Sequence, residues 1–228
     1  MQNEQEVRPE GGPPRGRFTI VYLIHEAFRR DIGRLSAALR APGVGPQRAR
    51  QLGAHWAFID DQLHHHHQVE DDSLWPLVLP KLAGRDEERA VLAEMAAQHV
   101  ALLPKCAAIS EAFTSLAATP GEREAGALAD DLDALGTLLA SHLDDEEARA
   151  FPVIDQALTA EEFESFGKAT AKSIGMRGAA RFFPWIFDGA DAVERQAVLS
   201  MPPPPVRVLC RYVWEPRYVR QSVTLWAS

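Results

Sequence analysis

His25 is followed by His66 and Glu70, and His99 by His142 and Glu146, so one set of potential metal ligands is written twice along the chain. The first histidine precedes the second by 41 residues in one half and by 43 in the other. Each glutamate stands four residues after its histidine and six before a proline, in His66-His-Gln-Val-Glu70-Asp-Asp-Ser-Leu-Trp-Pro76 and His142-Leu-Asp-Asp-Glu146-Glu-Ala-Arg-Ala-Phe-Pro152. Imidazole with carboxylate is a ligand set for Fe, Mn or Zn. Four imidazoles and two carboxylates able to bridge, supplied by two related halves, are what a dinuclear metal site needs.

These residues must be carried by helices. Val21, His25, Phe28, Ile32, Leu35 and Leu39 step by four and three along one face, and Pro42-Gly43-Val44-Gly45-Pro46 stops that helix. A second stripe runs Leu52, Trp56, Ile59, Leu63, His66, Glu70 and ends near Trp75-Pro76. A third runs Leu92, Met95, His99, Leu102, Cys106, Ile109, Phe113, with a kink expected at Pro104. A fourth runs Leu128, Leu132, Leu135, Leu139, His142, Glu146 and ends near Phe151-Pro152. In each helix the candidate ligands are in register with the apolar stripe and point inward. Residues four apart share a helix face, so one helix presents an imidazole to one metal and a carboxylate that bridges to the other. No Lys or Arg shares these stripes, and a buried unpaired carboxylate is costly; a cation between the two glutamates removes that cost.

The histidine run at 64–67 poses a choice of register. His66 lies on the stripe with Leu63 and Glu70, while His67 is rotated about 100° away. With Asp71, however, His67 repeats the His-x-x-x-carboxylate spacing and is the alternative ligand. His65 is read as supporting the site from behind, His64 as exposed and His55 as structural. Tyr22, three residues before His25, is placed to pack beside the ligands or to join them.

At these residues the chain resembles the hemerythrin-like, or HHE cation-binding, family over about residues 18–157. The resemblance rests on the early His25, the histidine run with acids before Leu74-Trp75-Pro76, the single His99 in the third helix, and His142-x-x-x-Glu146-Glu147 before Phe151-Pro152. It implies an all-α, up-down four-helix bundle holding two non-haem irons bridged by carboxylates and an oxo or hydroxo group. The implied ligands are His25, His66, Glu70, His99, His142 and Glu146. Two features depart from the oxygen-carrying members, which resemblance implies would place a second histidine one turn before His99, where Met95 stands, and a longer spacing before the last carboxylate. A thioether is a poor ligand for oxidised iron. The expected site is more symmetric, with fewer histidines and more positions open to O2, NO or peroxide.

The remaining sequence sets bounds. At 228 residues and 46% hydrophobic content, the chain accommodates one bundle and an extension. A net charge of −8 argues against binding nucleic acid by broad phosphate neutralisation. Cys106 and Cys210 lack CxxC spacing, so a reducing, cytoplasmic setting is expected. No transmembrane segment is expected, and residues 1–17 read as a disordered polar arm. Residues 158–228 form a helical extension with an aromatic stretch at 182–187, four prolines at 202–205, and nine Lys/Arg against four Asp/Glu from 165 onward. Two readings of the extension stand: helices that fold over the bundle, or a surface for membrane or protein contact. The expected function is binding of O2, NO or H2O2 at a di-iron centre, with peroxide- or NO-handling oxidoreductase activity if it is an enzyme. A non-catalytic iron, oxygen or redox sensor, or an iron store, is the alternative.

Overall fold

A computed structural model describes residues 15–226, which are mostly helical, with no strand among the described residues. After a 3-10 turn at Gly16–Phe18, α1 spans Thr19–Arg40, α2 Pro46–Val69, α3 Trp75–Val78, α4 Asp86–Ala118 and α5 Glu122–Asp145. Then come α6 Phe151–Ala157, α7 Ala160–Phe187, α8 Ala192–Leu199, α9 Pro204–Leu209 and α10 Glu215–Trp226. Among the described residues the chain forms two compact units. One runs up to Ala27 and resumes from Met176 to Ser222; the other runs from Phe28 to Gly175 with the last residues from Val223.

The second unit is an up-down bundle built from α2, α4, α5 and the part of α1 from Phe28 onward. Its contacts fix the antiparallel order. Arg29 pairs with Asp144 and Glu147, and Arg40 with Asp130 and Asp133, so α1 runs against α5. Trp56 donates its indole N–H to Ser110 and stacks on Phe113, and His67 meets His99, so α2 runs against α4. Glu94 pairs with Arg149 and Gln98 with Asp145, so α4 runs against α5. Every apolar residue of the four expected stripes from Phe28 onward is buried. Gly136 permits the close approach of α5 to α1, since a Cβ there would stand 3.2 Å from Ile32.

The helices do not end where the prolines suggest. Glu70–Leu74 and Glu146–Ala150 are π-turns, after which α3 and α6 continue the chain helically past Pro76 and Pro152. A proline lacks the N–H for the carbonyl four residues back and its ring crowds that carbonyl. Widening the turn by one residue accommodates the ring, with Trp75 N–H donating to Glu70 O and Phe151 N–H to Glu146 O. α4 likewise runs unbroken through Pro104. Contrary to expectation, α4 is also long and apolar enough by composition to cross a membrane. Its stripe from Leu92 to Leu116 is buried, and it packs against α2 and α5, while Val100 and Leu103 on its other side are exposed.

A buried charge ties α1 to α2. Asp31 is fully buried, 2.7 Å from Arg30 Nε and 2.8 Å from His55 Nε2. Burial pushes its carboxyl up, but the His55 hydrogen bond and the Arg30 charge outweigh it and hold the pKa at about 2. Because the folded value lies below the ordinary 3.8, this stabilisation is complete above about pH 4 and is lost as pH falls through about 2. Asp31→Asn is therefore expected to cost roughly 2 kcal/mol at neutral pH. The difference between the two urea melts should shrink as pH falls below 4, and a constant difference would deny the carboxylate this role.

α7 contains a kink at Gly175, whose φ of 63° falls in the left-handed region that glycine adopts without a Cβ clash. Beyond it, Phe182, Trp185, Ile186 and Phe187 are buried, so most of the aromatic stretch faces inward. In this first unit Arg15 pairs with Glu26 and lies over the Tyr22 ring, and Asp191 caps α8 by accepting from the Val193 and Glu194 amides.

Candidate metal centre

Glu70 and Glu146 each open a π-turn, and both are almost fully buried. Glu70 aims its two oxygens at imidazoles from two helices. Oε1 is 3.3 Å from His66 Nε2 on its own helix, and Oε2 is 3.5 Å from His99 Nε2 on α4. Glu146 Oε2 from α5 lies 3.9 Å from the same His66 nitrogen. A carboxylate between two imidazoles is the arrangement a bridging ligand requires.

His67 belongs in the same cluster. Sequence periodicity sets His66 against His67 as alternatives, but both rings enter the bundle, on either side of the α2 axis. His66 turns toward Phe28 of α1, with ring centroids 5.9 Å apart. His67 turns toward α4 and stacks on His99 at 4.1 Å and 12°. His142 meets both edge-on, 4.8 Å from His99 and 5.3 Å from His67. One ligand atom from each of His67, His99 and His142 lies within 4.8 Å of the others. Met95, one turn before His99, is fully buried, and the additional imidazole beside His99 comes from α2 instead of α4.

The outer nitrogens of these rings are tied down. His99 Nδ1–H donates to Asp71, both of whose oxygens are 3.0 Å away. His142 Nδ1–H donates to Gln98 Oε1 at 2.8 Å, and the Gln98 amide donates to Asp145. Each bond fixes a tautomer that leaves the Nε2 lone pair facing the cluster. The inward atoms, by contrast, lack hydrogen bonds: Nε2 of His67, His99 and His142, and Oε2 of Glu70, are buried without a partner. Buried polar atoms are ordinarily satisfied, so convergent orphaned lone pairs on good donors fit a bound cation. Asp71→Ala is expected to weaken metal binding about 10- to 100-fold by freeing the His99 ring. Metal titration against a competing chelator measures this, and unchanged affinity would separate Asp71 from the site.

The electrostatics agree. Burial, then the Glu146 charge, pushes the Glu70 carboxyl well above its usual range, and burial pushes Glu146 up too. Burial lowers the pKa values of His67, His99 and His142, the last to about 4, so these imidazoles are neutral and able to ligate at pH 7. Cys106 is pushed up to about 12, chiefly by burial, and is a thiol rather than a thiolate ligand.

The other sequence candidates fall as follows. His25 is fully buried on α1, in the first unit. Tyr22 lies under the Arg15 guanidinium, 4.2 Å from CZ to ring centroid. His65 is half-buried with its Nε2 enclosed, and His64 is exposed, bonded to the Asp60 carbonyl. His55 partners Asp31 and packs edge-on to Trp226. Sequence reasoning missed Gln98, and it saw Asp71 only as a possible ligand; a polar residue beside each ligand, at positions 98 and 71, was the available signal. A cavity of about 220 Å³ between α2 and α4 reaches this cluster, lined by Leu63, His67, Asp71, His99, Leu102 and Cys106 among others.

The sequence was compared with known proteins. The family model described as the hemerythrin HHE cation binding domain matches residues 18–154. No curated protein and no solved structure matches the chain.

Proposed function

Since the chain belongs to the hemerythrin HHE cation-binding domain family, we propose that it is a non-haem di-iron protein that binds O2, NO or H2O2. The observation that carries this reading is Glu70, with one oxygen toward His66 and the other toward His99. One ion would be held by His67, His99 and His142, and the other by His66 and Glu146. Glu70 bridges them. Two carboxylates offset half of the charge of two divalent ions, and the neutral imidazoles add donors without charge, which limits the cost of burying them. Histidine with carboxylate also suits Mn or Zn, and iron is the family's implication.

When bound, redox-active ions would supply electrons and an open coordination position. The chain's own residues do the rest. Asp71 and Gln98 hold the rings of His99 and His142 in their ligating tautomers. The packed stripes keep bulk water out, and the cavity beside His67 and His99 is large enough for a diatomic molecule or peroxide. Its apolar floor of Leu63 and Leu102 favours small uncharged ligands.

Metal analysis with optical spectra of the anaerobically reduced protein, before and after addition of O2, NO or H2O2, tests the proposal. Iron with a near-ultraviolet charge-transfer band that responds to one of these ligands is expected. Sustained peroxide consumption would identify an enzyme, and a stable spectral change without turnover would identify a sensor. Zinc-filled protein with no response would overturn the di-iron reading.

A further inference from the structure

The helix that ends the first unit carries an outward face of unusual chemistry. α9, the π-turn at Cys210–Trp214 and α10 follow one another without a break. The inward side holds Cys210, which is fully buried, with Trp214, Tyr218 and Ser222 half-buried. The outward side bears Val208, Tyr212, Val213 and Val219, each more than half exposed. Arg211 and Arg217 are exposed between them. The outer face of a helix on a globular protein is ordinarily polar, and this one alternates valine and tyrosine with arginine.

The charge of the surrounding segment is segregated. From Met176 to Ser222 there are seven arginines and four acids, in a chain of net charge −8. All four acids have structural partners. Asp188 accepts from the Tyr218 hydroxyl at 3.2 Å, and Asp191 caps α8. Glu194 is buried beside Arg15, while Glu215 pairs with Arg195 and accepts from the Cys210 thiol. Glu215 is the one acid within α9 through α10, and it is not exposed.

We propose that this face docks on an anionic lipid surface. Valine and tyrosine side chains enter the headgroup boundary, while the arginines lay their stems along it and bring guanidinium groups to lipid phosphates. A second copy of the chain fits less well, because a twofold axis through the face would set arginines against arginines. A convex single-helix face also offers no groove to hold an acidic peptide.

Flotation of the full chain with vesicles tests this, using phosphatidylcholine alone and phosphatidylcholine mixed equally with phosphatidylglycerol. Association with the mixed vesicles, at least about tenfold stronger than with the neutral ones and weakened by added salt, is expected. The double substitution Arg211→Glu with Arg217→Glu should reduce it at least about tenfold. Val208→Ser with Val219→Ser should reduce it with little change in salt dependence. All four positions are exposed, and circular dichroism and melting temperature check that the variants remain folded. The proposal is overturned if wild-type protein ignores the anionic vesicles, or if folded variants of both kinds float as well as wild type. A dimer in lipid-free solution that the valine substitutions dissociate would likewise overturn it in favour of self-association.

Discussion

Glu70→Ala is expected to lower bound metal from about two ions per chain to about one or fewer. The carboxylate has one oxygen 3.3 Å from His66 Nε2 and the other 3.5 Å from His99 Nε2, so its loss removes a donor from both proposed ions at once. It also deletes one of the few negative charges able to offset two cations in a buried site. His67→Ala removes a single imidazole, the one stacked on His99, and should weaken one ion while leaving the other. Metal content per chain, measured for both variants after identical loading, separates these outcomes. Full loading of Glu70→Ala would mean that the carboxylate is a buried structural acid and that the bridging assignment is wrong. Circular dichroism distinguishes loss of metal from loss of the bundle.

The four stripes were legible because burial on a helix has one period, and tertiary packing did not override it from Phe28 to Leu139. The pairing of His66 with His67 was not. An ideal helical wheel admits one of two adjacent residues to a given face. α2, however, lies between α1 and α4, and it has two interior flanks. Neighbouring histidines some 100° apart each find one, His66 toward Phe28 and His67 toward His99. Met95 was legible as a missing ligand, yet the compensating ring on α2 depends on how two helices face each other, which spacing within one helix does not encode. The same holds for Asp31 with His55 and for Gln98 with His142: each bond joins different helices, and its register is set by packing.

The π-turns teach a related lesson. The proline six residues after each glutamate was visible, but it reads naturally as a stop. Cys210–Trp214 is a third π-turn, it too has a proline six residues after its first residue, Pro216, and it holds neither histidine nor glutamate. The widened turn is thus the chain's response to these three prolines, though not to Pro104 in α4, and it forms without histidine or glutamate. At Glu70 and Glu146 that response coincides with the proposed ligands, and the same local rule applied in each half opens both carboxylates' turns. The repeated sequence motif consequently repeats as backbone geometry.

Verified removal of metal is expected to lower the melting temperature by about 8–16 °C. A ligand present at a thousand times its dissociation constant stabilises the native state by about 4 kcal/mol, and each kcal/mol moves a chain of this size by about 2–4 °C. The source of the effect is visible in the site. Without a cation the bundle must keep the Glu70 and Glu146 carboxyls buried at raised pKa, and three buried imidazole nitrogens and Glu70 Oε2 have no hydrogen-bond partner. Those costs are borne by the native state alone, because the unfolded chain hydrates each group. Calorimetry before and after chelation, with metal content measured on the same samples, gives the shift, and re-addition of metal should restore it. Glu70→Ala supplies the control: having lost most of its metal, it should respond to chelation by a few degrees at most. A melting curve that ignores metal removal in the wild type would place any bound ion at the surface, outside the cluster that His67, His99, His142 and Glu70 enclose.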